Sequence, residues 1–333
     1  MDSLKFSVVI PLYNKEKSIQ RAIDSVLNQA YPNFELIIIN DGSNDNSLSA
    51  ATIYEHHPKI KIITQENRGE CAARNRGIKE AAFDYIAFLD ADDSWEPGFL
   101  TEILNLIRKY PDCGIYATSF QRIISSSKTE QQKFVGIPFA NDGRDGIINN
   151  FFFSMAYGQD PIGTASAVCI PKKIFTECGL FLEKTKQLQE DVEMWIRIAC
   201  RYPVAFSGKV CVNYHCDAEN RACLNFTLES DIHPVERTID KLFHEGHCSP
   251  TNMTFLKEYL ALIYFSNAVR CLAHRQPALT RKLARKVQTK RLGLKIKGLG
   301  AFCLSFLPPW LTGHILFLIL PEHIRNMGRD QKK

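Results

Sequence analysis

Short apolar runs, each closed by a polar cluster, organise the first hundred residues. Residues 6–10 (FSVVI) read as a buried strand that stops at Pro11. Ile19, Ala22, Ile23, Val26 and Leu27 then recur at helical spacing and predict an amphipathic helix. Residues 35–39 (ELIII) and 60–64 (IKIIT) predict two more buried strands. A helix through 71–82 (CAARNRGIKEAA) follows, then a strand over 85–89. Strands alternating with helices predict an α/β fold with a parallel sheet. Such sheets bind ligands at the carboxyl ends of their strands, and the clusters 11–14, 41–43 and 90–93 all fall there.

From about 115 to 215 the pattern loosens. IYATSF and ASAVCI read as strands, separated by the polar SSSKTEQQ and the glycine-bearing NDGRDG. In QLQEDVEMWIRIACRYP, Val192, Trp195, Ile196 and Ala199 share one helical face. Glu190 and Asp191 open that helix, where the backbone amides and macrodipole stabilise anions. An ordinary acidic first turn reads the same way. PVAFSG and VCVNYH predict a second strand pair.

The densest chemistry lies in YIAFLDADDSWEP, where Asp90, Asp92 and Asp93 crowd the tip of a core strand. Carboxylates so close repel one another and call for a compensating positive charge. A hard divalent cation with oxygen ligands is the simplest such charge. The alternative is an acidic turn that caps the next helix through Asp93 or Ser94. The loop after the first strand, PLYNKEKS, has no glycine, which argues against a dinucleotide fold and a P-loop. Cys211, His215, Cys216 and Cys223 match no usual zinc spacing, and HEGHC is not HExxH.

Composition changes this picture mainly at the C-terminal end. The 333 residues are 45% hydrophobic and 23% charged, an ordinary globular balance. Eleven cysteines without a CxxC point to reduced thiols and a cytosolic setting. The N-terminus has a five-residue apolar run and no basic leader, so no signal peptide is expected. Residues 1–258 hold 27 basic and 34 acidic side chains, whereas 259–321 hold ten basic and none acidic. Such a segment is a solvated helix face, a nucleic-acid patch or a membrane-surface element. Residues 299–320 (LGAFCLSFLPPWLTGHILFLIL) approach the ~20 apolar residues a bilayer span needs. Pro308 and Pro309 divide that run, and His314 interrupts its second half. The expectation is a helix pair lying in the membrane interface, with Trp310 at headgroup depth and the basic stretch on anionic lipid. Packing on the rest of the protein, or a dimer contact, is the alternative.

Five stretches in order over roughly 6–215 carry a resemblance: SVVIPLYN, SVLNQAYPNFELIIINDGSNDNS, QENRGECAARNRGI, YIAFLDADDSWEP and QEDVEMWIRIA. Together they resemble glycosyltransferase family 2, which has the GT-A fold. The resemblance implies a nucleotide-sugar-binding, mixed but mainly parallel sheet flanked by helices. It implies inverting transfer of a sugar from a UDP-sugar to an acceptor hydroxyl, in surface polysaccharide or glycolipid assembly. By motif position, Pro11 and Tyr13 belong to the base pocket and Asp41 accepts a hydrogen bond from the base. Arg68 and Arg74 flank the nucleotide, and Asp90 is the DXD aspartate nearest the ribose. Asp92 is the ligand of Mg2+ or Mn2+, with His215 near the metal or diphosphate. Asp191 is the catalytic base. Gln189 departs from the family, which often has glycine there.

The implied organisation is a catalytic domain over 1–225, with a nucleotide-sugar half (1–115) and an acceptor half (116–225). A basic helical extension (226–298) and an apolar membrane-associating tail (299–333) follow. The implied acceptor is a sugar or a lipid-linked sugar, reached at the inner face of the cell membrane from the cytoplasm. Nucleic acid is not an expected partner, because it leaves the acidic rim unexplained. A catalytically silent nucleotide-sugar-binding module and a sugar-phosphate nucleotidyltransferase are the alternative functions.

Overall fold

A computed structural model describes residues 4–158, 162, 164–183, 190–218 and 233–306. The chain divides into two units, Met1–Thr185 with Gln189–Arg221, and Lys186–Leu188 with Ala222–Lys333. The first is built on one sheet, whose strands among the described residues are β1 (Phe6–Leu12), β2 (Phe34–Asp41), β3 (Ile60–Gln65), β4 (Tyr85–Phe88), β5 (Ser94–Trp95), β6 (Ile115–Ser125), β7 (Lys128–Gln131), β8 (Asp145–Ile147), β9 (Val168–Pro171) and β10 (Val204–His215). The order is β3-β2-β1-β4-β9-β6-β10-β5, with β7 beside β6 and β8 beside β10. β3, β2, β1 and β4 run parallel, β9 runs antiparallel to β4 and β6, and β6 and β10 are parallel again. This is the mixed, mainly parallel α/β sheet that the resemblance implies, where the strand–helix pattern alone predicts a parallel one.

Eight helices accompany the sheet among the described residues: α1 (Ile19–Leu27), α2 (Ser47–Thr52), α3 (Glu70–Glu80), α4 (Phe99–Lys109), α5 (Pro138–Asn141), α6 (Phe151–Tyr157), α7 (Lys172–Cys178) and α8 (Glu190–Ala199). Ile19, Ala22, Ile23 and Val26 of α1 pack on Val8, Ile10 and Leu12 of β1. The opposite face receives α3, where a side chain at Gly77 would come within 2.2 Å of Val9. With both faces covered, β1 and most of β2 are buried at every position, which is why their sequences are continuously apolar.

Three expectations change. β1 does not stop at Pro11 but runs on to Leu12. The Val9 carbonyl accepts from Leu89 N at 3.0 Å, so alternate residues face β4. Pro11 therefore points where the β4 ladder, which ends at Val9 and Phe88, no longer asks for an N–H. ASAVCI is only half strand, because Ala165–Ala167 form a 3-10 turn capped by Thr164. PVAFSG and VCVNYH form one twelve-residue strand, β10, with register shifts between Ser207 and Val212 rather than a turn. Gly208, in the middle of this strand, is where the Ala140 carbonyl presses on it: a Cβ there would lie 2.0 Å from that oxygen.

In the second unit the described residues form α9 (Pro234–His244), α10 (Pro250–Ala273), α11 (Pro277–Arg285) and α12 (Leu292–Leu304). Proline in the first turn starts α9, α10 and α11, where a missing N–H costs nothing. Tyr264, Ala268, Cys271, Leu283 and Ala284 form their core. Buried Glu258 accepts from Thr289 Oγ1 (2.5 Å) and Lys290 N (2.8 Å), fixing the link into α12. No helix among the described residues is long and apolar enough to cross a membrane. Pro308, Pro309, Trp310 and His314 lie outside the described residues.

Because a backbone carbonyl cannot swing aside as a side chain can, Gly208→Ala is expected to lower stability by about 1–3 kcal/mol. The check is the urea unfolding midpoint of the variant against the parent.

Candidate active site

The carboxyl ends of β2, β1 and β4 lie side by side, so the loops that leave them share one rim. The first two loops interlock. Asn14, at φ 52°, donates its backbone N–H to Ser43 Oγ (3.2 Å) and accepts from Asn44 N (3.0 Å). Lys15 N donates to Ser47 Oγ (2.6 Å). Tyr13, just before this knot, keeps an exposed ring, whereas Pro11 is buried in β1.

Asp41 ends β2 and is buried. Gln65 Nε2 (2.7 Å) and Arg68 N (3.0 Å) donate to Oδ1, and Gly69 N (2.8 Å) donates to Oδ2. The carboxylate thus ties the residues leading into α3 to the sheet. It uses three of the roughly four acceptor positions a carboxylate offers. Gly42 follows at φ 68°, and a Cβ there would press on Asn67 N at 2.8 Å. The Arg68 side chain points outward to Glu183 (2.8 Å) and is largely exposed.

Arg74, one turn into α3, is only 2% exposed and holds three carboxylates: Glu70, Asp90 (2.9 Å) and Glu190 (3.3 Å). Burial disfavours its charge, but the fields of Glu70, Asp90, Glu190 and Asp191 outweigh that and raise its pKa well above the usual value. Its role is therefore to hold together the tip of β4 and the first turn of α8. Desolvation, then the charges of Asp90, Glu190 and Asp92, lift Glu70 well above the ordinary carboxylate range against the pull of Arg74. Asp191 is half-buried in that first turn, with Oδ1 accepting from Val192 N at 2.7 Å.

The three aspartates after β4 have three different fates. Asp90 faces Arg74. Asp92 pairs with Lys15 Nζ at 2.6 Å, and its backbone carbonyl accepts from Arg21 Nη2 at 2.6 Å. Asp93 is buried, accepting from Ser166 Oγ (2.5 Å) and His215 N (3.2 Å). Burial, then the charges of Asp92 and Asp90, push the Asp93 pKa well up. Neither Asp93 nor Ser94 caps the next helix, because α4 starts at Phe99 behind Gly98. His215 Nε2 lies 3.0 Å from Ser94 Oγ. Burial and Arg21 lower the His215 pKa, which favours the neutral ring at neutral pH.

Among the described residues, no group of three or more His, Cys, Asp or Glu is placed to hold a metal unaided. The donor chemistry at the rim still suits a hard cation. Asp90 and Asp92 present partly exposed oxygens, and the Lys15 ammonium already stands against Asp92 as a positive charge. Magnesium commonly takes one or two carboxylates and fills its shell with phosphate oxygens and water. Lys15, Arg21 and Ser166 escaped the sequence reading, because nothing in PLYNKEKS or ASAVCI signals a contact made across the fold.

Replacing Arg74 with Met strands carboxylates in a poorly hydrated place, a loss of about 3–5 kcal/mol. The folded variant then binds protons more tightly than the unfolded chain. Its stability is expected to rise as pH falls from about 8 to about 5, with the gap to the parent narrowing. Urea unfolding at both pH values reads this, and a pH-independent deficit would assign the loss to packing alone.

Residues 7–170 match the Glycosyl transferase family 2 profile. An uncharacterized glycosyltransferase of Nostoc sp. is 41% identical over 57% of this chain and 63% of its own length. YibD of Escherichia coli, also an uncharacterized glycosyltransferase, is 42% identical over 31% of this chain and 30% of its own length. The amylovoran biosynthesis glycosyltransferase AmsB of Erwinia amylovora is 40% identical over 33% of this chain and 38% of its own length. The chain thus spans less than two thirds of each of these relatives. Among solved structures, S. aureus TarS in complex with UDP-GlcNAc superposes with a TM-score of 0.65 at 16% identity, over 91% of this chain and 90% of that one. The mannosyltransferase PcManGT of Pyrobaculum calidifontis, in complex with GDP-Man and Mn2+, gives 0.57 at 19% identity, over 97% and 84%. These two likenesses carry the GT-A-like fold, and the family match over 7–170, close to half of the chain, places that part in glycosyltransferase family 2.

Proposed function

We propose that this chain transfers a sugar, with inversion, from a UDP-sugar to an acceptor hydroxyl in surface polysaccharide or glycolipid assembly. The observation that carries the reading is the Arg74 cluster, which holds the Asp90 tip of β4 together with the turn that bears Asp191. A donor rim and a carboxylate base are then parts of one construction. The name of AmsB supports the biosynthetic setting, and the ligands of TarS and PcManGT support the nucleotide-sugar donor.

In this reading Asp41 accepts a hydrogen bond from the base with its remaining acceptor position, beside the exposed ring of Tyr13. Pro11 shapes the strand beneath the base, and Arg68 reaches along the donor from outside. Asp90 orients the ribose, while Asp92 and neutral His215 hold Mg2+ or Mn2+ with the diphosphate. The cation, when bound, neutralises the charge that develops on the departing nucleoside diphosphate. Asp191 accepts the proton of the attacking acceptor hydroxyl, which is too weakly acidic to lose it unaided. Lys15 leaves Asp92 for the diphosphate oxygens when the donor arrives. The acceptor is lipid-linked, and the basic C-terminal segment keeps the protein at the cytosolic face of the cell membrane.

The test is nucleotide release and sugar transfer with UDP- and GDP-sugars in the presence of Mg2+ or Mn2+. Asp92→Ala is expected to abolish turnover with the fold intact, and full activity in EDTA would remove the metal from the proposal. Asp191→Asn is expected to cut transfer by roughly 10² or more with donor affinity little changed. An equal loss of donor affinity would move Asp191 into the nucleotide pocket. Donor binding without turnover for any acceptor would favour the silent binding module.

Lys15→Met is expected to tighten Mn2+ binding to the nucleotide-free protein, read by electron paramagnetic resonance, and to weaken UDP binding. An unchanged Mn2+ affinity would mean that Lys15 does not compete for Asp92.

A further inference from the structure

Helix α12 is apolar on two opposite faces. Leu294, Gly298, Ala301 and Ser305 recur at intervals of four, three and four, and are buried. Gly298 sits close against α11's end, where a Cβ would meet Val287 at 3.0 Å, and Phe302 joins the α10–α11 core. The other face has the same spacing and stands largely exposed among the described residues. Leu292, Ile296, Leu299 and Phe306 are 71%, 60%, 63% and 64% exposed, and Cys303 between them is exposed too. At 3.6 residues per turn the four positions within α12 fall within an arc of about 60°, and Phe306 follows just past its end. An outer helix face is normally polar, and single exposed apolar residues need no account, but an aligned row of them marks a contact surface.

Charge chooses the occupant. Lys295, exposed, borders one side of the row. Gly293 and Gly300 border the other, and exposed Lys297 lies beyond them. Arg281 lies 4.8 Å over the Phe306 ring. The whole stretch 259–321 has ten basic and no acidic side chains. A second copy would bring two such segments together against their mutual repulsion. An anionic lipid surface offers both an apolar layer and negative headgroups. The sequence directly after Phe306, LPPWLTGHILFLIL, is uncharged and apolar, in keeping with the same surface.

We infer that the outer face of α12 docks on an anionic bilayer. Leu292, Ile296, Leu299 and Phe306 enter the headgroup–acyl boundary, and Lys295 beside the row meets the headgroups. At about 1.5 Å per residue, α12 is too short to span and lies along the surface. The inference rests on the membrane reading in the proposed function and narrows it to one face of one helix.

The experiment uses the full chain with phosphatidylglycerol–phosphatidylcholine vesicles and with pure phosphatidylcholine, at low and high salt. The parent is expected to float with the anionic vesicles at low salt and to be partly released at high salt. Ile296→Asp with Leu299→Asp is expected to lower vesicle affinity at least about tenfold, since two exposed apolar side chains lose their burial. Circular dichroism checks the fold, which these exposed positions do not support. Lys295→Glu is expected to weaken binding and flatten its salt dependence. A parent that stays in the supernatant overturns the membrane reading itself. A parent that binds while the double Asp variant binds equally well leaves that reading standing and overturns the α12 face. An environment-sensitive label on Cys303 separates the remaining occupants. A blue shift on adding anionic vesicles supports the inference. Emission already blue without lipid overturns it: concentration dependence then assigns the face to a second copy, and its absence to residues after 306.

Discussion

Three carboxylates share one buried guanidinium, and the active-site rim is built around that arrangement. Glu70, Asp90 and Glu190 come from α3, the tip of β4 and the first turn of α8, and repel one another wherever water is scarce. Arg74 can reach all three only because α3 seats close to the sheet, with Gly77 against Val9. The start of α3 is in turn tied down by Asp41, whose carboxylate accepts from Arg68 N and Gly69 N. One line of contacts therefore runs from the end of β2, through α3, to β4 and α8. Disturbing any member changes the spacing between the tip of β4 and Asp191.

Two cations answer the acidic rim, and their chemistry differs. Arg74 is planar, always charged and locked among its partners, which suits a permanent structural charge. Lys15 is a flexible ammonium against the partly exposed Asp92 carboxylate. Only the second kind of contact can be exchanged for a ligand's cation without dismantling the fold. Asp93 is withdrawn from that exchange. Its oxygens are held by Ser166 and His215 N, and its raised pKa favours the neutral acid. Of the three aspartates, Asp92 is left as the one whose partner can move.

This sorting was not legible in the chain. The strands were, because parallel strands covered on both faces must be apolar throughout, and the β1, β2 and β4 runs satisfy that. Helix α1 was legible from its single buried stripe. The rim was legible as three polar clusters at strand ends. What failed depended on contacts distant in sequence. Arg74 and Glu190 lie 116 positions apart, and Lys15 and Asp92 lie 77 apart. PVAFSG and VCVNYH looked like two strands because sequence cannot show the pairing with β6 that continues through the register shifts around Gly208. The resemblance distinguished Asp90 from Asp92, but only burial shows Asp93 withdrawn among Ser166 and His215.

The same distinction governs the second unit. Helix α12 meets the core through one apolar row and offers water another, and sequence alone merges the two into a uniformly apolar helix. Exposure separates them. The charge distribution then gives the outer row a direction of action. Residues 1–258 carry a net negative charge, and 259–321 carry only positive charge. At physiological salt an acidic body feels repulsion from an anionic surface only within about 8–10 Å. A basic segment bearing its own apolar row overcomes that short-range repulsion with attraction of the same range and with burial that salt does not screen. On the proposed reading the two charge classes are therefore not in conflict. The acidic residues serve the rim that takes the donor's cation, and the basic segment serves the surface that presents a lipid-linked acceptor.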